Sequence, residues 1–300
     1  MDTRNDSPAR HEVRAVEALQ ADGTAGTSPI LVTGGTGALG SLVVRRLRDA
    51  GYAVRVLSRH SRTSDAEGIE FVTGDLAKGE GIEPAVAGVA IIVHCAGNAT
   101  GNEQQTRNLV QGAARAGARH LVYISVVGAD RIPVASASDR VIGGYFASKL
   151  AAERVVAESG VPWTTLRATQ FYDLMLLLAR GMAKLPVVPV PAGFRFQPID
   201  TGEVADRLVE LALGAPAGLV PDMAGPQVYP AAALIRGYLQ ARGQHRPIVM
   251  IRLPGNAARV YAEGANLAPD RAVGRRTWEE FLAERVGATR GSEPRVAYDH

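Results

Sequence analysis

Two side chains that could move a proton, Tyr145 and Lys149, are four residues apart in the sequence. The segment from Tyr145 through Ser159 is rich in helix formers and ends at Gly160, so the pair should lie one turn apart on one helix face. Tyrosine has an ordinary pKa near 10, and a neighbouring ammonium favours the phenolate. We therefore expect Lys149 to lower the pKa of Tyr145 toward neutral pH and to make it a general acid or base.

A second chemical signature is the glycine pattern of the run Ile30 to Gly40, which reads Ile-Leu-Val-Thr-Gly-Gly-Thr-Gly-Ala-Leu-Gly. Apolar residues precede the glycines without a break and recur after them at helical spacing, which predicts a strand, a turn and a helix. In such a unit Gly34 forms the tight turn, Gly37 admits a pyrophosphate to the main chain, and Gly40 lets the helix pack on the strand. The phosphates bind at the helix N-terminus, where unpaired N–H groups point at them.

The nucleotide setting decides how the Tyr/Lys pair is interpreted. Taken alone, such a pair is more often an ordinary surface pair than a catalytic one. This chain, however, has only three lysines, Lys78, Lys149 and Lys184, and the pair falls between the fifth and sixth predicted strands. Lys149 could then also bond the ribose of a nicotinamide nucleotide, whose positive ring would further favour the phenolate.

The second predicted strand, Ala53 to Leu57, ends at Ser58 and Arg59. It ends about 20 residues beyond the glycines, where enzymes that use NAD carry an acid for the ribose 2′-hydroxyl. This chain has no acid there. Ser58 can donate to a phosphate oxygen, and Arg59 can pair with a 2′-phosphate and stack on adenine. The alternative is that Arg59 and Arg62 are ordinary surface arginines. Their position favours NADP over NAD.

Strands and helices alternate along the rest of the first half. Further strands are predicted at Ile69–Thr73, Ala90–His94 and His120–Ser125, with a helix at Glu103–Ala116. This rhythm predicts an α/β fold with a doubly wound parallel sheet, the Rossmann fold. Asp75 follows the third strand and could accept from an adenine amino group or cap the next turn. His94 ends an apolar run, which favours a hydrogen-bonded core histidine over a metal ligand, and no metal site is expected.

Beyond residue 170 the pattern loosens into loops that are rich in proline and glycine. Helices are predicted at Thr201–Leu213, with Asp200 as N-cap and Glu203 three residues on, at Ala231–Arg242 and at Thr277–Arg285. We expect a single NAD(P)-binding domain over residues 29–300, in which 29–170 form the dinucleotide-binding core and most of 171–300 form a smaller C-terminal substrate lobe. Residues 1–28 are expected to be a flexible extension that a partner subunit could order.

The composition excludes several classes of partner. The formal net charge is only +3, and no basic run is interleaved with aromatic residues, so nucleic acid is not expected as a partner. Apolar residues make up 46% of the chain, which is ample for a core. Cys95 is the sole cysteine, so a reducing compartment fits. Without an apolar signal core or a run of about 18 apolar residues, we expect a cytoplasmic protein that does not bind membranes. Homo-oligomerisation is left open.

Four segments together resemble the short-chain dehydrogenase/reductase superfamily, and more closely its atypical NmrA-like, NAD(P)H-binding branch. They are Thr33–Gly40, Gly74–Leu76, Tyr145–Lys149 and Leu166–Phe171. The resemblance implies a seven-stranded parallel sheet, pyrophosphate at the three glycines, 2′-phosphate at Ser58 and Arg59, adenine near Asp75 and ribose near Gly97. It also implies that Tyr145 is the general acid/base, with Lys149 as its ribose-anchoring partner. The expected cofactor-binding residues are Gly34, Thr36, Gly37, Ala38, Leu39, Gly40, Ser58, Arg59, Asp75, Leu76, Ala96, Gly97, Ser125, Lys149, Thr169 and Phe171.

One feature departs from the pattern of catalytic members, which usually place a Ser or Thr just after the fifth strand to bind the substrate carbonyl oxygen. Here Ser125 ends the predicted strand, and Val126 and Val127 follow it. Ser125 is kept as the third catalytic candidate, although it could instead line the cofactor. Ser136 and Ser138 are candidates only because they are near in sequence.

Three functions follow from these features. The first is an NADPH-dependent oxidoreductase that reduces a ketone, a quinone or a similar small apolar substrate. Residues after the sixth strand could line its pocket, although most of them could equally be helix core, namely Phe171, Tyr172, Leu174, Met175 and Met182. The second is an NmrA-like sensor of the NADP(H) redox state without catalysis, which Val126 and Val127 favour. The third is an NAD-dependent sugar-nucleotide epimerase or dehydratase, which would need tightly retained NAD and additional acid/base groups.

Overall fold

Seven strands pair in parallel to form the central sheet. The computed structural model describes residues 28–62, 67–98 and 100–287, so nearly all of the expected N-terminal extension lies outside the described residues. The strands are β1 (Ile30–Thr33), β2 (Val54–Ser58), β3 (Ile69–Thr73), β4 (Ile91–His94), β5 (His120–Val126), β6 (Trp163–Ala168) and β9 (Gly218–Leu219). Their order across the sheet is β3-β2-β1-β4-β5-β6-β9. The predicted doubly wound parallel sheet is therefore confirmed.

Helices cover both faces of this sheet. They are α1 (Ala38–Asp49), α2 (Ile82–Val86), α3 (Asn102–Arg115), α4 (Arg140–Ala157) and α6 (Thr201–Leu213). Apolar residues of α1 and α6 pack together on one face. Those of α2, α3 and α4 form a separate cluster on the other. This two-sided burial explains why the central strands are almost continuous apolar runs.

The centre of the sheet sets the position of the site. β1 pairs with β2 on one side and with β4 on the other, so the chain reverses its direction of winding at this strand. In open parallel sheets, ligands bind at the carboxyl ends of the strands beside such a reversal. The loops after β1 and β4 therefore face the same crevice.

The second half of the chain forms most of a lobe beside these carboxyl ends. Its elements are α5 (Tyr172–Met182), β7 (Val188–Pro191), β8 (Arg195–Phe196), β10 (Tyr229–Pro230), α7 (Ala231–Ala241), β11 (Ile248–Ile251), α8 (Asn256–Ala262), a 3-10 turn (Pro269–Arg271) and α9 (Trp278–Gly287). β8 pairs with β10, and β7 pairs with β11. Their apolar side chains form a third cluster that includes a stack of Tyr172, Trp278 and Phe281.

The predicted N-terminus of α6 is confirmed, with one difference. Asp200 Oδ1 accepts from the backbone N–H of Gly202 at 2.7 Å and of Glu203 at 3.4 Å. The Glu203 carboxylate does not return to the cap. It accepts from the backbone N–H of Arg275 at 3.0 Å and so ties α6 to the segment before α9.

His94 is the core histidine that the apolar run predicted. Its Nδ1 lies 2.7 Å from Thr33 Oγ1, its Nε2 lies 3.1 Å from Thr106 Oγ1, and its ring stacks on Tyr123. Burial, assisted by the positive charge of Lys149, lowers the pKa of His94 to about 3. The imidazole is therefore neutral at neutral pH, and its two hydroxyl partners tie β1 and β4 to α3.

This histidine makes stability depend on pH. The unfolded chain binds a proton near pH 6.5 and the folded chain only near pH 3, so the free energy of unfolding should fall as pH drops from 6.5 toward 3. One such group contributes a slope of at most about 1.4 kcal/mol per pH unit. Urea unfolding at pH 7 and pH 5 measures it, and a His94→Gln variant should lose less stability over this interval than the natural chain. An equal loss in both proteins would contradict the assignment.

Candidate active site

The glycine turn between β1 and α1 brings three backbone segments together. Gly34 adopts a left-handed conformation with φ of 68°, and a Cβ there would lie 2.6 Å from the backbone nitrogen of Ala96 in the loop after β4. A Cβ on Gly40 would lie 2.1 Å from the carbonyl oxygen of Gly34. Both glycines are thus required for the turn, the loop and the helix to approach one another.

Gly37 has a different role because its own conformation is ordinary. It is the N-cap of α1 with φ of −80°, and no side chain caps the helix. A Cβ on Gly37 would have only the Gly34 carbonyl oxygen near it, at 3.3 Å. The turn thus leaves an approach to the first N–H groups of α1, as a pyrophosphate requires. The same turn and the start of α1 also contain the other residues predicted to bind the cofactor here, Thr36, Ala38 and Leu39.

A cavity of about 370 Å³ lies at the carboxyl ends of β4, β5 and β6. It is lined by Leu39, Cys95, Gly97, Asn98, Ile124, Ser125, Val126, Tyr145, Phe146, Lys149, Ala168, Thr169, Gln170, Phe171, Leu174, Met175, Leu178, Phe196 and Tyr261. The first turn of α1 bounds one part of it and the C-terminal lobe another. The three catalytic candidates, Ser125, Tyr145 and Lys149, therefore share one cavity.

The side chain of Lys149 is buried, with only 5% of its surface exposed. Its Nζ donates to the backbone carbonyl of Ile124 at 3.0 Å and lies 4.8 Å from the centre of the Tyr123 ring. Burial lowers the pKa of Lys149 to about 8. A Cβ on Gly97 would lie 3.3 Å from this Nζ, so the backbone after β4 passes directly beside the amine.

The expected lowering of the Tyr145 pKa is wrong for the chain itself. Tyr145 lies on the cavity wall and is 39% exposed, yet its apolar surroundings raise its pKa to about 12. Desolvation determines this shift, and the Lys149 ammonium, which donates to the Ile124 carbonyl, does not reverse it. The phenol therefore carries its proton at neutral pH.

Ser125 is the serine that the cavity contains. It is buried within β5, which continues for one more residue to Val126, and its Oγ has no hydrogen-bond partner among residues 28–62, 67–98 and 100–287. Ser136 and Ser138 are not cavity-lining residues. Their hydroxyls lie 2.9 Å from each other, and Ser136 accepts from the backbone N–H of Asp139. A buried hydroxyl without a partner is unusual, so Ser125 remains the candidate for a ligand contact.

The residues expected at the adenosine end lie apart from this cavity. Ser58 Oγ donates to the His60 carbonyl at 2.9 Å, and Asp75 Oδ1 accepts from the backbone N–H of Ala77 at 2.8 Å, so both stabilise their own turns. Leu76 is buried. Arg59 is exposed and forms no hydrogen bond or ion pair within the described part of the chain. Of this group, Arg59 therefore has the side chain that is available to a phosphate.

The expected apolar lining is correct only in part. Phe171, Leu174 and Met175 line the cavity. Tyr172 and Met182 instead belong to the core of the lobe, where the Tyr172 hydroxyl donates to the Arg276 carbonyl. Several lining residues were not predicted from the sequence, above all Gln170, Phe196 and Tyr261. Gln170 stands between two predicted cofactor residues, which is the signal that could have identified it.

Within the residues that the structure describes, no group of three or more His, Cys, Asp or Glu side chains could hold a metal ion. None of the described helices is both long enough and apolar enough to cross a membrane.

In comparison with known proteins, residues 34–184 match a family described as NAD(P)H-binding. One relative is the (4-alkanoyl-5-oxo-2,5-dihydrofuran-3-yl)methyl phosphate reductase of Streptomyces griseus, 34% identical over 161 residues. That match covers 53% of this chain and 54% of the relative, so it spans little more than half of that protein. Another is the NAD(P)H azoreductase of Xenophilus azovorans, 28% identical over 75% of this chain and 77% of the relative.

A solved structure supports the fold. The NADPH-dependent quinone oxidoreductase of Escherichia coli, in complex with NADPH, superposes with a TM-score of 0.71 at 19% identity. The superposition covers 85% of this chain and 99% of that one. At this identity the likeness establishes the shared architecture of sheet, helices and lobe.

The glycine turn gives a direct test of nucleotide binding. A Gly37→Ala variant should fold normally, because alanine accepts the conformation of this residue, but the added methyl group should obstruct the approach of the phosphates. We expect the affinity for NADPH to fall roughly tenfold or more, as a loss of about 1.4 kcal/mol would produce. Fluorescence titration measures the affinity, and thermal unfolding checks the fold.

A matched control is Gly51→Ala at the far end of α1. Gly51 has φ of 86° and no neighbouring atom within reach of a Cβ. This variant should lose about 1 kcal/mol of stability through backbone strain and keep its affinity for NADPH. Unchanged affinity in the Gly37→Ala variant would mean that the phosphates bind elsewhere.

Proposed function

Because the chain belongs to the NAD(P)H-binding family, we propose that it is an NADPH-dependent oxidoreductase that reduces a ketone, a quinone or a similar small apolar compound. The observation that carries the proposal is the convergence of Ser125, Tyr145 and Lys149 on one cavity bounded by the first turn of α1. The relatives named as reductases of an oxo-dihydrofuran and of azo compounds support the reaction class.

The glycine turn, Lys149 and the wall after β6 fit a nicotinamide nucleotide. The turn leaves room for phosphates, and the buried amine can donate to a ribose hydroxyl because an ammonium has three N–H donors and Ile124 takes one of them. Thr169 and Phe171 would lie beside the ring. The bound cofactor, when reduced, supplies the hydride.

Tyr145 is in the protonation state that a reductase needs, although a phenol with a raised pKa is a weaker acid than one with a pKa near neutral. Reducing a carbonyl requires a proton donor, and the phenol of Tyr145, with its pKa raised to about 12, is protonated at neutral pH. The hydroxyl of Ser125 has no partner in the described chain, so it can donate to the substrate oxygen. In this scheme Ser125 orients the substrate, Tyr145 delivers the proton, and Lys149 holds the ribose.

The preference for NADPH over NADH is part of the proposal. Arg59 follows β2 without a partner among the described side chains, and no acid stands at this position to accept a ribose 2′-hydroxyl. A guanidinium forms strong charge-assisted hydrogen bonds with the 2′-phosphate of NADPH, and NADH has no phosphate there to accept them.

The apolar character of the cavity wall, with Leu174, Met175 and Leu178, favours substrates with little charge.

The proposed contact of Arg59 with the 2′-phosphate can be tested by substitution. An Arg59→Ala variant should bind NADPH about 10- to 100-fold more weakly, the loss expected for one charge-assisted contact, and bind NADH as before. The neighbouring Arg62→Ala is the matched control and should alter neither affinity. Titration with both cofactors decides, and an equal loss for NADH and NADPH would remove the 2′-phosphate from the explanation.

The proposed role of Tyr145 as proton donor can be tested by turnover. A Tyr145→Phe variant should bind NADPH normally but reduce ketones or quinones about 10²- to 10⁴-fold more slowly, since it lacks the proton donor. Tyr52→Phe, beside β2 and outside the cavity, should keep full activity. If turnover survives in the Tyr145→Phe variant, the tyrosine is not the acid. If the natural chain binds oxidised and reduced cofactor with unequal affinity and reduces nothing, the sensor hypothesis replaces this one.

A further inference from the structure

The carboxamide of Gln170 is buried without a partner in the wall of the cavity. Neither its Nε2 nor its Oε1 has a hydrogen-bond partner among residues 28–62, 67–98 and 100–287, and both atoms are covered by neighbouring atoms. Buried polar atoms in proteins are nearly always paired, because an unpaired one loses its bonds to water without replacement. The chain therefore keeps at this position a polar group that its own fold does not satisfy.

Gln197 is a second glutamine near this wall, and both polar atoms of its carboxamide are hydrogen-bonded. It is also buried, but its Nε2 donates to the Gly225 carbonyl at 2.9 Å and its Oε1 accepts from the Ala268 N–H at 2.9 Å. Its backbone carbonyl accepts from the Thr169 hydroxyl at 2.6 Å. Two glutamines with buried carboxamides thus lie close to the same wall, one with both amide atoms bonded and one with neither.

The backbone around Gln170 is held firmly. Its carbonyl accepts from the Ile199 N–H at 2.9 Å, and Phe171 forms a bridge with the same residue. The preceding Thr169 is bonded through its N–H to the Met223 carbonyl. The main chain that carries the Gln170 side chain is therefore fixed where the chain leaves β6.

We propose that Gln170 is a positioning residue whose carboxamide pairs with the carboxamide of the nicotinamide ring. An amide offers one donor and one acceptor side by side, and a second amide complements both at once. The cavity supports this partner because Leu39 in the first turn of α1, Lys149 and Gln170 all line it. The inference rests on the proposed function, since it requires the nicotinamide end of the cofactor in this cavity.

The test compares three ligands in the natural chain and in a Gln170→Met variant. NADPH has the complete carboxamide, its 3-acetylpyridine analogue keeps the acceptor but lacks the N–H donors, and 2′-phospho-ADP-ribose has no nicotinamide. The variant should bind NADPH roughly tenfold more weakly, as expected for one or two lost hydrogen bonds, and 2′-phospho-ADP-ribose as before. The natural chain should prefer NADPH to the acetylpyridine analogue, and the variant should lose this preference.

Gln197→Met is the matched control. It removes two structural hydrogen bonds, so its melting temperature should fall while the preference between the two cofactors persists. Gln170→Met should melt, without ligand, at or above the temperature of the natural chain, because it replaces two unpaired polar atoms. A drop as large as that of the control would show a structural role and overturn the inference.

The remaining outcomes separate the two proposals. If the preference between NADPH and its analogue is the same with and without Gln170, the inference is wrong while cofactor binding stands. If only the KM for the ketone or quinone rises, the carboxamide binds substrate and the inference is again wrong. If the natural chain binds neither NADPH nor 2′-phospho-ADP-ribose, the proposed function itself fails.

Discussion

A buried ammonium is the constraint on which the candidate site depends. Lys149 lies in apolar surroundings at the carboxyl edge of the sheet, where an unpaired charge would be costly, and the Ile124 carbonyl and the Tyr123 ring offset part of that cost. This contact fixes α4 to the end of β5 and so places Tyr145, one turn earlier, on the same cavity. The remaining N–H donors of the ammonium can bond a ribose hydroxyl inside the cavity.

The C-terminal lobe completes this environment. Tyr261 of α8 packs against Phe146 of α4 with ring centres 6.0 Å apart, and Phe196 of β8 lies against the same tyrosine. These rings exclude water from one side of the cavity. Desolvation has opposite effects on the pKa values of its two titratable groups, raising that of Tyr145 and lowering that of Lys149. Both shifts favour the uncharged forms.

Features that depend on the backbone could be predicted from the sequence, and features that depend on distant side chains could not. The spacing of Gly34 and Gly40 predicted the turn because close backbone approach excludes any larger residue there. The raised pKa of Tyr145 was missed because it results from burial by segments distant in the sequence, which no local pattern shows. The unpaired carboxamide of Gln170 could not be predicted for the same reason. Its state depends on neighbouring segments that place no hydrogen-bond donor or acceptor beside it.

A crystal structure of the complex with NADPH would show where the cofactor binds. We expect the pyrophosphate at the glycine turn, a ribose hydroxyl within hydrogen-bond distance of Lys149 Nζ, and the nicotinamide ring inside the cavity beside Tyr145 and Ser125. A nucleotide bound with its phosphates away from Gly37, or with its ring outside the cavity, would contradict the proposed site.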